Sequence, residues 1–287
     1  DSDEAVYDVV ALEDGGFLVS YGHDDNLHID RFDADGNYLS IPFHTVTFGG
    51  LNENGQANDM TVSGSDSVLI AYSKEGTGGN FDSIAGRIFN PLDNTLGAEI
   101  DLISFSGEAD FVRGVTTLAN GNYAVLGKNG LGDNSLVLRI ITNDGTNVVS
   151  EMHLGNTNSD SEDVFDGSIA ALNNGNFVVA WNSTASGNGR YQIFSSTGTA
   201  VSTMQTLSGS LGEVNNVAAM NDGGFVIGVG QNLVRFGANG NAIGNSVTTS
   251  TNDTFVTVLD DGRIVTTGSS SQFWDTRDNA NTDGLYN

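Results

Sequence analysis

Leu172-Asn173-Asn174-Gly175-Asn176-Phe177-Val178-Val179-Ala180-Trp181 holds an apolar residue, a polar–glycine turn and an apolar strand in one short run. The same run returns as Leu12-Glu13-Asp14-Gly15-Gly16-Phe17, Leu118-Ala119-Asn120-Gly121-Asn122-Tyr123, Met220-Asn221-Asp222-Gly223-Gly224-Phe225 and Leu259-Asp260-Asp261-Gly262-Arg263-Ile264. A looser copy, Val62-Ser63-Gly64-Ser65-Asp66-Ser67-Val68, falls between the first two. Measured from Leu12 through Val62, Leu118, Leu172, Met220 and Leu259, the spacings are 50, 56, 54, 48 and 39 residues. Asp-Gly and Asn-Gly pairs supply the positive φ that tight hairpins need, so each copy reads as strand, turn, strand.

The strands after these turns are Phe17–Tyr21, Val68–Tyr72, Tyr123–Gly127, Phe177–Trp181 and Phe225–Val229, apolar at nearly every position. Continuous rather than alternating apolarity predicts a strand covered on both faces. A third strand follows (Leu27–Phe32, Ile84–Phe89, Leu136–Ile140, Tyr191–Phe194, Leu233–Phe236), then another turn and a weaker fourth strand. No segment carries sustained apolar spacing at helical period, and the chain has two prolines. Six units of four antiparallel strands at this period predict an all-β, six-bladed β-propeller occupying residues 1–287 as one domain. Its blades fall at roughly 4–50, 54–104, 108–156, 160–208, 211–250 and 252–287. The sixth packs on the first, with a reduced outer strand near Leu285-Tyr286.

Composition bounds the partners. With 36 Asp and Glu against 10 Lys and Arg, the formal net charge is −26, which opposes binding to a nucleic-acid backbone or an anionic membrane. No apolar run reaches spanning length, so membrane insertion is not expected. Cysteine is absent, which removes disulfide and thiolate chemistry. The start at Asp1 reads as a mature chain or a fragment of a larger one.

In a propeller the connections from strand two to three and from strand four to the next blade share one face. Here that face carries connections of very different length, and variable loops on a rigid scaffold are where binding concentrates. Acidic and amide residues gather at the starts of the first strands, which line the central channel. Asp8, Asp59, Asp110, Asp163, Asp166 and Asp253 form an expected ring of oxygen ligands for a hard cation such as Ca²⁺; the competing reading is solvated loop ends. Tyr72 and Trp181, equivalent to Tyr21 at the ends of second strands, are candidate sugar-stacking residues, against a packing role. Arg31, Arg87, Arg139 and Arg235 read as one repeated third-strand position that stitches blade to blade. Asp33-Ala34-Asp35-Gly36-Asn37 starts like a calcium loop, but it lacks the acidic twelfth residue and reads as a hairpin turn. His23 and His28, flanking one hairpin, read as surface histidines. Gly-x-Ser-x-Gly, His-Glu-x-x-His and phosphate-loop patterns are missing.

The runs Ala11–Val19, Ala171–Trp181 and Arg31–Asn37 resemble the β-propeller regions of large secreted bacterial RTX-type exoproteins and adhesins. The tail from Phe273 to Gly284 is similar to the junction where such propellers lead into glycine–aspartate calcium repeats. The resemblance implies export, a calcium-rich extracellular or cell-surface setting, and membership of a larger chain or assembly. It transfers no catalytic residue. The sequence therefore points to a binding or assembly module for a glycan or a surface protein. Its rivals are a polysaccharide-active hydrolase or lyase using loop-face carboxylates, and a structural subunit of an extracellular layer or filament.

Overall fold

The computed structural model describes residues 5–23, 26–39, 45–46, 58–64, 67–75, 81–104, 111–128, 136–155, 164–183, 189–209, 211–249, 254–268 and 272–274. These residues form strands and turns with no α-helix, arranged in six antiparallel sheets. Sheet 1 contains β1 (Ala5–Ala11), β2 (Phe17–His23), β3 (Asn26–Phe32), β4 (Tyr38–Leu39) and β5 (Thr45–Val46), the last two both on β3. Sheet 2 contains β6 (Asn58–Val62), β7 (Val68–Glu75), β8 (Phe81–Asn90), β9 (Thr95–Leu96) and β10 (Ile100–Ser104). Sheet 3 is β11 (Phe111–Thr117), β12 (Tyr123–Lys128), β13 (Leu136–Ile141) and β14 (Asn147–Leu154). Sheet 4 is β15 (Val164–Ala171), β16 (Asn176–Ser183), β17 (Gly189–Ser195) and β18 (Gln205–Thr206). Sheet 5 is β19 (Val214–Ala219), β20 (Phe225–Val229), β21 (Asn232–Phe236) and β22 (Val247–Thr248). Sheet 6 shows β23 (Phe255–Val258), β24 (Ile264–Thr267) and β25 (Gln272–Trp274). Leu285-Tyr286 lies outside the described residues.

The repeated turns share one geometry. Leu12 N–H donates to Gly16 C=O (2.8 Å) and Gly15 N–H returns to Leu12 C=O (3.1 Å), and Leu172, Met220 and Leu259 repeat the pattern. The loose copy forms the outer bond as well, from Ser63 N–H to Ser67 C=O at 2.8 Å. This is a type I turn closed by a left-handed glycine rather than a two-residue hairpin. Only the glycine takes positive φ (Gly15 +84°, Gly175 +89°, Gly223 +85°). The Asp or Asn before it has a different duty: Asp14, Asn174, Asp222 and Asp261 each accept the N–H two residues on, at 2.8–3.0 Å. Asp33 belongs to an equivalent turn, with Gly36 N–H on its carbonyl and Asn37 on its carboxylate, so this stretch is a hairpin turn.

The chain divides into two compact units, residues 1–117 with 121–154, and 118–120 with 155–287. In the first, β6 lies between β1 and β11; in the second, β19 lies between β15 and β23. Sheets 1 and 2 close on Leu18, Leu27, Ile29, Met60, Val68, Ile70, Tyr72 and Phe89. Leu69, Ile84, Val115, Tyr123 and Val125 join sheets 2 and 3. In the second unit Val178, Ala180 and Ile193 meet Val217, Phe225 and Ile227, and Met220 and Val226 meet Val256 and Ile264. Second strands β12, β16 and β20 are buried on both faces. Strand β2 departs from that expectation. Leu18 and Ser20 are buried, but Phe17, Val19 and Tyr21 are only half-buried.

Candidate functional site: first-strand carboxyls and the aromatic end of sheet 1

Four of the first strands, β1, β6, β15 and β19, place a side chain where it reaches the next sheet, and β11 has a glycine at that position. Asp8 pairs with Ser20, Asp59 with Ala71, Gly114 with Leu126, Ser168 with Ala180 and Asn216 with Gly228, so all five share one register. Asp8 Oδ2 accepts Met60 N–H (2.8 Å), and Asp59 Oδ2 accepts Val115 N–H (2.7 Å). Ser168 Oγ accepts Val217 N–H (3.2 Å). Asn216 both accepts from Val256 N–H and donates to Val256 C=O, each at 2.8 Å. A serine, an amide and two carboxyls thus make one latch, which marks it as part of the architecture. In β1, β11, β15 and β19 the register shifts just before this residue, and such bulges re-aim a side chain.

Asp8 and Asp59 therefore leave the expected cation ring. Met60 N–H lies between the two carboxyls, 2.8 Å from Asp8 Oδ2 and 3.0 Å from Asp59 Oδ1. Burial, and secondarily the charge of Asp8, pushes Asp59 up to about 8. Burial also raises Asp8, while hydrogen bonds from Asp59, Met60 and Val9 pull it back. Asp110, Asp163 and Asp253 lie outside the described residues; Asp166 is in β15, but its side chain is not described. Among the described residues no three His, Cys, Asp or Glu side chains come together as a metal set.

The two aromatic candidates are core residues. Trp181 is fully buried and Tyr72 is 3% exposed. Tyr72 donates to Glu99 Oε2 (2.9 Å), and burial followed by that contact pushes its phenol above the usual range. Burial works against the Glu99 carboxylate, but hydrogen bonds from Lys74 and Tyr72 hold it below its ordinary range. Lys74 Nζ stands 2.5 Å from Glu99. The accessible member of the equivalent trio is Tyr21, which stacks on His28 (5.2 Å, 20°) and lies 3.2 Å from Asp30 Oδ2. On the same face Phe17 stacks on Phe32 (4.9 Å), which meets Tyr38 edge-on at 6.0 Å. Val9 there is 60% exposed, whereas its register equivalents Met60, Val115, Ile169, Val217 and Val256 are buried. Sequence alone gave no signal for this, because Phe17–Tyr21 reads like the other second strands.

The four arginines do not share one position. Arg31 and Arg235 pair with Leu18 and Val226, one residue from the strand-end phenylalanines; Arg87 and Arg139 pair with Ile70 and Val125, two residues from Phe89 and Ile141. A one-residue offset turns the side chain to the opposite face. Arg31 reaches forward to Pro91 C=O (2.7 Å) and Asn94 Oδ1 (2.5 Å) of sheet 2 while pairing with Asp14 (2.7 Å). Arg139 reaches back to Leu102 C=O at 2.5 Å. Arg235 pairs within its own sheet with Asp222 at 2.6 Å. Stitching between sheets is thus done by Arg31 and Arg139, from opposite faces.

Repeated antiparallel sheets, identical turns and first strands side by side define a β-propeller. Solved structures of low sequence identity share this fold. The Dos1 propeller matches with a TM-score of 0.60 at 12% identity, covering 96% of this chain and 68% of that one. A Penicillium chrysogenum α-L-arabinanase complexed with arabinobiose matches with a TM-score of 0.59 at 17% identity (93% and 91% covered). An α-L-arabinofuranosidase from Fusarium graminearum, in complex with an iminosugar inhibitor, gives 0.60 at 12% identity (93% and 90%). No family model and no curated protein matches the chain.

Proposed function

We propose that this propeller is a carbohydrate-binding module whose contact surface includes the Tyr21–His28 end of β2 and β3. The observation that carries the reading is the half-buried Tyr21–His28 stack beside the Asp30 carboxylate, at the end of β2 next to its connection to β3. An aromatic ring takes the apolar C–H face of a sugar, and a neighbouring carboxylate accepts its hydroxyls. Export to a cell surface, as the repeats' resemblance implies, accords with such a role. The arabinanase and arabinofuranosidase neighbours suggest arabino-oligosaccharides as the first probe and make glycan hydrolysis the rival reading. Hydrolysis would draw on loop-face carboxylates, among which Asp110, Asp163, Asp166 and Asp253 are the candidates the sequence singles out.

The test is a glycan array followed by calorimetry with arabino-oligosaccharides, on the wild type and on Tyr21→Ala, alongside a reducing-sugar assay. Binding without sugar release, weakened at least tenfold by Tyr21→Ala with the fold intact by circular dichroism, is the expected result. Sugar release would shift the assignment to the hydrolytic rival. Absence of glycan binding, together with self-association that Tyr21→Ala abolishes, would assign this surface to assembly and overturn the carbohydrate reading.

A further inference from the structure

The latch series contains one link unlike the rest. Ser168 and Asn216 hold the following sheet with groups that cannot ionise in the ordinary range, whereas sheets 1, 2 and 3 are joined in series by two carboxyls that also converge on one donor, Met60 N–H, at 2.8 and 3.0 Å. We propose that Asp8 and Asp59 form a proton-operated lock on the first three sheets. With one proton between them, Asp59 donates to Asp8, and each carboxyl keeps an oxygen for the backbone N–H of the next sheet. Without it, two negative charges face each other in a buried seam and the seam parts. Two carboxylates in contact cannot both ionise cheaply.

Among the described residues, no hydrogen bond brings a cation to either carboxyl. The groups acting on the pair are each other and the N–H groups of Val9, Met60 and Val115. From β2 the partner is Ser20, whose Oγ lies 3.4 Å from the Asp8 carbonyl, and from β7 it is Ala71. On β11 the neighbouring cation, Arg113, lies over the Phe111 ring at 5.6 Å. The raised Asp59 sets the direction. A carboxyl whose folded value is raised stabilises the fold fully below its unfolded value, and that contribution is lost as pH rises through the folded one. The window therefore runs from about 4 to about 8, with the lock open on the alkaline side.

The experiment is residue-resolved amide exchange of the intact chain from pH 6 to 9, each rate normalised to the intrinsic rate at that pH. Protection at Met60 and Val115 is expected to fall by up to about tenfold per pH unit, the signature of one proton. Protection at Val217 and Val256, held by Ser168 and Asn216, stays level and serves as the internal control. Asp59→Asn should flatten the profile, because an amide donates to Asp8 and accepts from Val115 as Asn216 does in sheet 5. If that variant does not fold, infrared spectroscopy of the wild type decides: a protonated-carboxyl stretch present at pH 7 and gone by pH 9 supports the lock, and its absence at pH 7 refutes it. The proposal also fails if Met60 and Val115 track the control amides, or if folded Asp59→Asn keeps the wild-type slope.

Discussion

Replacing Trp181 by Ala is expected to cost stability rather than ligand affinity. The indole has no exposed surface, and a buried Trp removes about 150–250 Å² from water. At ~25 cal/mol per Å² that corresponds to about 4–6 kcal/mol, and aromatic-to-alanine changes in cores typically cost about 3–5 kcal/mol. For a chain of this size each kcal/mol shifts Tm by roughly 2–4 °C, so the variant should melt on the order of 10 °C lower. Trp181→Phe is the informative companion. Nε1 of Trp181 is buried without a hydrogen-bond partner among the described residues, and an unpaired buried donor costs about 1–3 kcal/mol. Phenylalanine surrenders the second ring but removes that donor, so the two effects offset and the variant should fall within about 1–2 kcal/mol of wild type. Urea and thermal unfolding followed by circular dichroism measure both. A Trp181→Ala variant melting within about 2 °C of wild type, or a Phe variant as damaged as the Ala variant, refutes the packing argument. Loss of glycan binding in a fully stable Trp181→Ala protein would return the residue to the ligand surface.

Two further expectations concern the turns and the rim. Gly223→Val places a β-branched residue at φ +85° and should cost roughly 1–3 kcal/mol; Gly36→Ala, with open space around its φ of +79°, should show the backbone strain alone, about 1–2 kcal/mol. Equal melting of either variant and wild type would contradict the left-handed assignment. The cation proposal now rests on Asp110, Asp163, Asp166 and Asp253. Millimolar calcium should raise Tm by preferential binding to the folded state, and joint Asp163→Asn and Asp166→Asn substitution should weaken that rise. A matched magnesium control giving the same shift would reduce the effect to general screening of a chain of net charge −26.

The sequence by itself determined what short-range chemistry can specify. An Asp or Asn whose side chain takes the N–H two residues on, followed by a glycine free to adopt positive φ, makes a turn wherever it occurs. The repeats therefore revealed the all-β class, the strand order and the unit count. Continuous apolarity in Val68–Tyr72 and Phe177–Trp181 likewise announced strands covered on both sides, and from that Tyr72 and Trp181 follow as core.

Tertiary structure decided everything that depends on which neighbour a face meets. Phe17–Tyr21 has the composition of its buried counterparts, yet Phe17, Val19 and Tyr21 are only half-buried where Tyr72 and Trp181 are core. Arg31 and Arg87 look equivalent until the ladder shows them one residue out of register, and in a strand one residue selects the opposite face. Asp8 and Asp59 stand 51 positions apart in the chain, and only the packing of β1 beside β6 brings both carboxyls to one backbone donor, Met60 N–H. The ionisation state of a side chain is set by burial and by charges across space, and the order of residues along the chain does not record either.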